Sequence, residues 1–432
     1  MIDRDLNALA LKGEIMDTLA SQYIQKCGIS DVGRAKERIA RVVDGFLSVF
    51  DCKDNVPIAI FSAPGRAEIA GNHTDHQHGH VLCASVNIDI LACAAPNNQN
   101  VIRICSQGYP EVTVELDCLT PDSDEAGSSA ALVRGLAAGI SQLGYTVSGF
   151  DAYIISDVLS GSGLSSSAAY EVLIGNIINH FFCEGKLDPI EIARIGQYAE
   201  NVYFGKPCGL MDQLACSVGG ITSIDLADPS APQVKRIDCD FNAFGYELCI
   251  LDTGSNHADL TQDYADITRE MGAVAAYFGA KVLRAVPEAE FAAEIPQLRS
   301  VCGDRAVLRA MHYYEDDVRA EKEANALEQG DFSAFLSLVN ESGLSSELHL
   351  QNVWSASNPE RQAVTLALAV GRKLLAASGA IRVHGGGFAG TVQAFVPSDR
   401  VLQFKADMER IFGQDACHIL RIRPCGGCVV IG

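Results

Sequence analysis

Two hydrophobic patterns meet near residue 160. Apolar residues are continuous through Tyr153, Ile154 and Ile155, which is typical of a buried strand. After residue 168 they recur with the 3.6-residue period of an amphipathic helix, at Ala169, Val172, Leu173, Ile177, Ile178 and Phe181. Glycines and serines dominate residues 159–167 between the two patterns. The pattern therefore predicts a strand, a Gly/Ser loop and a helix that begins among the serines.

The Gly/Ser loop is a candidate phosphate-binding site. Glycine lets a backbone approach a ligand closely, and the first amides of a helix lack intrahelical partners and therefore attract anions. The structural alternative is that the serines cap the helix. The chain has no Gly-Lys-Ser/Thr of a Walker loop, and Ser166 stands where a dinucleotide fingerprint has its last glycine. These features disfavour a P-loop NTPase and a Rossmann nucleotide site.

The remaining patterns predict an α+β protein with two domains. Helices are predicted at 6–20, 35–50, 130–143 and 189–202, and strands at 58–61, 81–88, 101–105, 221–224 and 246–251. The second half is mostly helical until a strand at 381–384 and a Gly-rich turn. A linker-like Asp228-Pro229-Ser230 favours domains at 1–230, which includes a helical N-terminal extension, and at 231–432.

Charge and composition narrow the range of partners. The formal net charge is −21, which disfavours nucleic acid and anionic membranes as partners. The first residues do not resemble a signal peptide, and no uncharged apolar run reaches 18 residues, so we expect a cytoplasmic protein. The 15 cysteines are dispersed, as in a reducing compartment. Cys425 and Cys428 form a C-x-x-C without a second pair, so a redox or metal role is the less favoured alternative there.

A dense polar segment between the first two predicted strands, residues 63–79, is the second candidate site. It contains Arg66, Asn72, His73, Asp75 and His76, whose side chains suit the hydroxyl groups of a sugar. The alternative is a polar surface loop. Its histidines match neither H-E-x-x-H nor a zinc-finger spacing, so the sequence does not favour a metal site.

Four motifs, taken together and in order, resemble the GHMP small-molecule kinases. Three of them are Pro64-Gly65-Arg66 with the segment 71–75, the segment 163–169, and the Gly-rich segment 385–390. The first motif and the fourth, residues 208–213, are similar to the galactokinase branch in particular. The resemblance covers most of the chain from about residue 63 to residue 396.

The resemblance implies a ribosomal-protein-S5-like N-terminal domain and a ferredoxin-like C-terminal domain, with ATP and a sugar in the cleft between them. It implies that Asp212 accepts the proton of the sugar C1 hydroxyl beside Arg66, and that Ser167 and Glu200 hold Mg²⁺. The implied ATP-binding residues are Gly161, Ser162, Gly163, Leu164, Ser165, Ser166, Ser167 and Ala168. The implied sugar-binding residues are Arg66, Asn72, His73, Asp75, Gly209 and Tyr264.

The local sequence alone favours a different interpretation, in which Asp212 caps a helix and Glu200 is a solvated charge on a helix face. The adenine pocket has no signature in the sequence. We expect a monomer that binds only these small molecules.

The chain departs from the galactokinase pattern at four positions. Glu68 replaces an asparagine, Asn72 a glutamate, His76 a tyrosine and His384 a threonine. Because Asn72 removes a carboxylate expected near the sugar C6 group, and because His76 and His384 could add positive charge there, galacturonate is an alternative substrate to galactose. A non-catalytic sensor of galactose and ATP is a further alternative. The intact serine loop and Asp212 favour catalysis.

Overall fold

The computed structural model describes residues 13–29, 31–50, 58–158, 163–206, 208–254, 261–388 and 390–431. In this part of the chain, two β-sheets organise the fold. The strands of the first sheet are β1 (Ala59–Ala70), β2 (His80–Pro96), β3 (Val101–Ser106), β4 (Val112–Glu115), β5 (Phe150–Ser156), β6 (Ile221–Asp225), β7 (Gln233–Ile237) and β12 (Cys428–Ile431). Their order is β12-β1-β2-β5-β3-β4, and β6 pairs with both β2 and β7.

Helices cover both faces of the first sheet. They are α1 (Gly13–Cys27), α2 (Val32–Val49), α3 (Ser129–Gln142), α4 (Ser166–Phe182), α5 (Pro189–Tyr198) and α6 (Met211–Val218). Each face of the sheet has its own hydrophobic core, because successive side chains of a strand point to opposite faces. Phe61 packs in the core with α3 and α4, whereas its neighbour Ile60 packs with α1 and α2. The start of α5 is fixed by Asp188, which caps the helix in a reciprocal pair with Glu191.

The second sheet has the strands β8 (Tyr246–Asp252), β9 (Ala380–His384), β10 (Thr391–Pro397) and β11 (Cys417–Leu420), in the order β11-β8-β10-β9. Its helices are α7 (Thr261–Tyr277), α8 (Glu288–Val301), α9 (Asp304–Glu328), α10 (Phe332–Ser345), α11 (Ala363–Leu375) and α12 (Val401–Phe412). All its pairings are antiparallel. The order strand, helices, strand, strand, helix, strand is the ferredoxin-like topology, as the resemblance implied.

The structure refines several predicted elements. The polar segment 63–70, expected as a connector, continues β1, because its backbone pairs with β2 and tolerates Pro64 beside a bulge. Helix α1 continues to Cys27, past the predicted end at residue 20, and the first twelve residues lie outside the described chain. The domain boundary at residue 230 stays a prediction. It falls inside the β6–β7 hairpin of the first sheet, and β12 returns to that sheet from the end of the chain.

A buried charge cluster, here called the docking cluster, fixes α1 and α2 to the first sheet. It consists of Tyr23, Arg38, Ser62, Asp89 and Arg423. The Asp89 carboxylate accepts hydrogen bonds from Tyr23 Oη at 2.8 Å, from Arg423 Nη1 at 2.9 Å, and from Arg38 and Ser62. Among the described residues, no helix is both long and apolar enough to cross a bilayer.

Candidate active site

A polar cavity of about 270 Å³ lies between elements of the two sheets. It is formed by the end of β1, the turn between β1 and β2, the start of α6, helix α7 and the turn after β9. Its lining residues are Arg66, Glu68, His73, Asp75, His76, Cys208, Gly209, Met211, Asp212, Tyr264, Thr268, Gly385 and Gly386. Pockets for drug-sized ligands measure about 300–1,000 Å³, so this cavity suits a smaller polar molecule.

A bidentate ion pair joins Arg66 on β1 to Asp212 in the first turn of α6. Arg66 Nε and Nη2 donate to the two carboxylate oxygens of Asp212 at 2.7 and 3.0 Å. Arg66 Nη1 donates to the carbonyl oxygen of Gly163 at 2.5 Å, and the Ser165 hydroxyl donates to Asp212. Both residues line the cavity, but the Arg66 side chain is 8% exposed and that of Asp212 is 34% exposed, so Asp212 is the more accessible partner.

The surroundings of Asp212 keep it ionised. Burial alone would raise the pKa of this carboxyl, but the charge of Arg66 and the hydrogen bonds from Arg66 and Ser165 outweigh it and hold the pKa below its usual value. Arg66 responds in the opposite sense: burial would lower its pKa, and the charge of Asp212 raises it instead. The pair therefore presents a negatively charged acceptor to the cavity at neutral pH.

The described part of the Gly/Ser loop leads into α4, and Ser165 does not cap this helix as the structural alternative required. Ser165 has a left-handed backbone (φ 55°) and makes no side-chain cap, because its hydroxyl is bonded to Asp212. Gly163 also has a positive φ of 72°, and a Cβ there would lie 2.5 Å from Thr391 Oγ1. The first amides of α4 thus remain without a cap from Ser165 and are suited to an anion.

The other predicted loop residues fall into two groups. Leu164, Ser166, Ser167 and Ala168 lie at the start of α4, and the Leu164 carbonyl accepts from the Arg66 backbone N–H at 3.1 Å. Gly161 and Ser162 lie outside the described residues.

Ser167 and Glu200 lie close enough to share a cation. Their side-chain oxygens are 3.5 Å apart, and Lys206 Nζ donates to the same Glu200 oxygen at 3.1 Å. Gln213 Nε2 bridges Glu200 and a second buried carboxylate, Glu171, at 2.8 and 3.0 Å. Hydroxyl and carboxylate oxygens are the ligands that Mg²⁺ prefers.

Glu171 is a functional candidate that the sequence prediction missed. Its side chain is fully buried, and its Oε1 atom has no hydrogen-bond partner among the described residues. Burial, reinforced by the negative charge of Glu200, raises its pKa to about 8. A cation between these groups would relieve that repulsion, so the residues present fit Mg²⁺. The available signal was the spacing of four residues from Ser167, which places both side chains on one face of α4.

Most of the predicted sugar-binding residues line the cavity, but Asn72 does not. Arg66, His73, Asp75, Gly209 and Tyr264 are lining residues, as is Asp212. Asn72 is fully buried. Its Nδ2 donates to Glu68 Oε1 at 3.0 Å and to the Gly385 carbonyl at 2.7 Å, and its Oδ1 accepts from Asn352 at 2.8 Å. The Asn72 side chain therefore supports the cavity wall.

Glu68, to which the sequence analysis assigned no role, places a carboxylate at the cavity wall. It lines the cavity and accepts hydrogen bonds from Asn72 and from the fully buried Arg382. Burial raises its pKa, although the charges of Arg382 and Arg66 oppose that shift. Because Glu68 follows Arg66 by two residues on β1, the strand period already predicts that both point to the same side. Arg66, Glu68, Asp212 and Arg382 are called the cavity cluster below.

The histidines do not add the positive charge that the galacturonate hypothesis requires. Burial lowers the pKa of His73 to about 4, and burial together with His73 lowers that of His76 to about 3. His384 is not among the lining residues. Its Nε2 accepts from the Glu68 backbone N–H at 3.0 Å and its Nδ1 lies 2.8 Å from Thr391 Oγ1, so the imidazole is neutral. It joins β1 to β9 and β10.

Asp75 and Gly209 are in close contact at the cavity wall. A Cβ at residue 209 would lie 2.4 Å from Asp75 Oδ2, so any larger residue there would displace this carboxylate. Burial raises the pKa of Asp75 to about 6. A ligand that donates hydrogen bonds, such as a sugar hydroxyl, would satisfy the ionised form.

Two family models match the chain. The GHMP kinases N terminal domain matches residues 130–220, which include the Gly/Ser loop and Asp212. The galactokinase galactose-binding signature matches residues 44–96, which include Arg66, His73 and Asp75.

Full-length comparisons agree with the two models. A galactokinase from Streptomyces coelicolor is 31% identical over 381 residues, covering 86% of this chain and 94% of that protein. A galactokinase from Clostridium tetani is 29% identical over 350 residues, covering 80% and 86%.

Among solved structures, Lactococcus lactis galactokinase complexed with galactose superposes with a TM-score of 0.76 at 22% identity, over 90% of this chain and 99% of that one. A mevalonate kinase superposes at 0.60 and 14% identity, over 84% and 99%. The fold is therefore that of the GHMP kinases, and the chain belongs to the galactokinase family, a family of ATP-using sugar kinases.

Proposed function

We propose that the protein transfers the terminal phosphoryl group of ATP to the C1 hydroxyl of galactose, with Mg²⁺. One observation carries this proposal: the side chains of Ser165 and Arg66 both connect the Asp212 carboxylate to the Gly/Ser loop. Ser165 of the loop donates to Asp212, and Arg66 bonds both Asp212 and the Gly163 carbonyl. Phosphoryl transfer depends mainly on positioning and charge stabilisation, and this arrangement holds an acceptor for a hydroxyl beside a candidate phosphate site.

In the proposed reaction the C1 hydroxyl donates a hydrogen bond to Asp212. The hydroxyl oxygen forms a bond to the terminal phosphorus of ATP while the bond to the ADP oxygen breaks. Asp212 either accepts the departing proton, or stabilises the transition state through its charge while the proton passes to an oxygen of the transferred phosphoryl group. Arg66 keeps Asp212 ionised before the reaction in both cases. Its lowered pKa makes it a weak base and favours the electrostatic part.

The proposed magnesium ligands are Ser167 and Glu200, with Glu171 nearby. Mg²⁺ at this place supplies charge neutralisation for the phosphates. Lys206, which is bonded to Glu200, adds a further positive charge on the same side. Mg²⁺, Lys206 and the amides at the start of α4 would together provide the local positive site that an acidic protein needs in order to bind ATP.

Galactose is favoured over galacturonate by the charges that line the cavity. Among the lining residues, Glu68, Asp75 and Asp212 contribute three carboxyl groups and Arg66 one guanidinium; Arg382, which pairs with Glu68, is fully buried and does not line the cavity. The charge absent at Asn72 is present at Glu68, whose carboxylate oxygen lies 3.0 Å from the Asn72 amide. An anionic C6 group would be repelled by these carboxylates, whereas a polyol can donate to them.

The decisive assay measures ADP release with ATP, Mg²⁺ and a panel of hexoses that includes galactose, glucose, mannose and galacturonate. We expect galactose to stimulate release most strongly, with galactose 1-phosphate as the product. ATP binding without stimulation by any sugar would instead support the sensor alternative. Galacturonate as the preferred substrate would overturn the assignment of the sugar.

The proposed working form is a cytoplasmic monomer that acts on these two small molecules. Sedimentation velocity of the purified chain, with a mass of 46.1 kDa, tests the monomer. A single species of twice that mass at working concentration would contradict it.

A further inference from the structure

Three cysteine sulfurs converge where the end of α1 meets the last strand. Cys27 is the final residue of α1, Cys428 is the first residue of β12, and Cys425 lies in the loop before it. The Sγ atom of Cys428 lies 3.7 Å from that of Cys425 and 4.0 Å from that of Cys27, and all three lie within 4.8 Å of one another. The sequence showed only the C-x-x-C pair, because Cys27 is about 400 residues away.

Two of the sulfur separations match those of ligands around one metal ion. With Zn–S bonds of about 2.3 Å, two sulfurs of a tetrahedral site lie roughly 3.8 Å apart. The two measured separations of 3.7 and 4.0 Å bracket this value. Sulfurs in a disulfide are separated by only about 2.05 Å.

The surroundings fix the segments that carry the thiols, and Arg423 lies beside one of the three sulfurs. Lys26 Nζ donates to the carbonyls of Val429 and Val430 at 3.0 and 3.1 Å, which fixes the end of α1 to β12. Gly426 packs against α6, where a Cβ would lie 2.0 Å from the Ser217 carbonyl oxygen. Arg423 Nη2 lies 3.6 Å from Cys428 Sγ and can donate to a thiolate there, as groups around metal ligands commonly do.

We propose that Cys27, Cys425 and Cys428, none of which lines the active-site cavity, bind one Zn²⁺ ion that joins α1 to the C-terminal strand. On binding, each thiol releases its proton to solvent and forms one Zn–S bond, so three protons leave. Cys27 is fully buried, whereas Cys425 and Cys428 are half-buried. The open side of the site therefore faces solvent, and water completes the tetrahedron. The three thiolates leave a net charge of −1, next to Arg423.

The test compares the wild type with Cys425→Ser, Cys428→Ser and the control Cys118→Ser, which removes an exposed thiol outside the cluster. Each protein is saturated with ZnCl₂ under a phosphine reductant, freed of excess metal by gel filtration and analysed for zinc. We expect about one zinc per chain in the wild type and the control, and at least a fivefold loss in the two cluster variants. Equal zinc content in the wild type and Cys425→Ser would overturn the proposal.

Two further measurements separate a metal site from other uses of the thiols. Co²⁺ added to the metal-free wild type should give the visible absorption of a tetrahedral thiolate complex, which both cluster variants lack. Zn²⁺ should raise the melting temperature of the wild type by roughly 2–4 °C and leave that of Cys425→Ser unchanged. Matching circular dichroism spectra verify that the variants are folded. A thiol titration without reductant that shows a disulfide within the cluster, together with absent zinc binding, would contradict the proposal.

Discussion

Asp89 and Asp212 are both carboxylates paired with arginine, yet they differ in how far they are buried. Asp89 in the docking cluster has a side chain that is 1% exposed, and four different side chains donate to it. Asp212 in the cavity cluster is 34% exposed, and two side chains, those of Arg66 and Ser165, donate to it. The pKa of both carboxyls lies below the usual value, because arginine charge outweighs the opposing effect of burial in each.

A perturbed pKa therefore does not distinguish a structural carboxylate from a functional one in this fold. Access to a cavity does, since only Asp212 retains acceptor capacity that a ligand can use. We expect substitutions in the cavity cluster to reduce turnover and substitutions in the docking cluster to reduce stability.

The largest expected effect is on turnover in Asp212→Asn. Loss of the charged acceptor should lower kcat about 10²- to 10⁴-fold, the range for a general base, and a smaller loss would favour the electrostatic role. ATP affinity should remain nearly unchanged, because Asp212 is not expected to contact the nucleotide. Steady-state kinetics with galactose and a nucleotide-binding titration measure both quantities. Turnover close to the wild type would remove Asp212 from the mechanism.

Asp89→Asn should show the opposite behaviour. Removing this charge leaves Arg38 and Arg423 without their shared partner, which should reduce the free energy of unfolding by about 3–5 kcal/mol. The kcat per folded molecule should stay within about twofold of the wild type, since none of these residues lines the cavity. Urea unfolding and active-site-normalised kinetics provide the two readouts. A stable but inactive variant would break the proposed division between the clusters.

Exchange of residues 68 and 72 tests whether two departures from the family pattern compensate each other. Asn72→Glu alone would place a second carboxylate beside Glu68 in a buried site, and should lower kcat/KM for galactose roughly 10- to 100-fold. The double variant Glu68→Asn, Asn72→Glu restores the family order and should regain most of that loss. The same assays with galacturonate check the sugar. A wild-type preference for galacturonate that Asn72→Glu abolishes would contradict the role given to Glu68.

Ser167→Ala should have a moderate effect confined to the metal. Loss of one oxygen ligand should raise the Mg²⁺ concentration for half-maximal activity about fivefold, with kcat largely recovered at saturation. Ser337→Ala, on an exposed face of α10, is the matched control. An unchanged Mg²⁺ requirement would exclude Ser167 as a ligand.

The smallest expected effect is a pH dependence of stability from Asp75. Its pKa is raised to about 6 in the folded protein, so the folded state favours the protonated form. The associated stabilisation is present at low pH and is lost as pH rises through 6. The ligand-free wild type should therefore lose a few degrees of melting temperature, relative to Asp75→Asn, between pH 5 and pH 7.5. Parallel melting curves for the two proteins would show that Asp75 does not titrate in this range.

The sequence predicted what depends on local pattern. The strand that ends at Ser156 and the helix that begins at Ser166 are confirmed, because the hydrophobic period determines both locally. The ferredoxin-like second domain is also confirmed, although that expectation came from the resemblance. Helix boundaries such as the end of α1 were less accurate, since packing against β12 extends the helix to Cys27.

Interactions between distant residues could not be predicted. The position of Asn72 behind Glu68 depends on Asn352 and Gly385, which lie about 280 and 313 residues further along the chain. The isolation of His384 from the cavity likewise depends on its contacts with β1 and β10. The directions of the Asn72 and His384 side chains therefore depend on partners that are distant in sequence, which a local motif does not show.

The pairing of β12 with β1 has a consequence for the order of events during synthesis. Ile60 on β1 pairs with Ile431 on β12, which is synthesised about 370 residues later. Until then, this edge of β1 has no partner strand. At about 5–20 residues per second, that interval lasts roughly 20–70 s on the ribosome. An uncovered β1 edge is a template for pairing with other chains during this time. The yield of folded protein should therefore depend on the supply of chaperones and on the rate of translation, and not only on the stability of the folded protein.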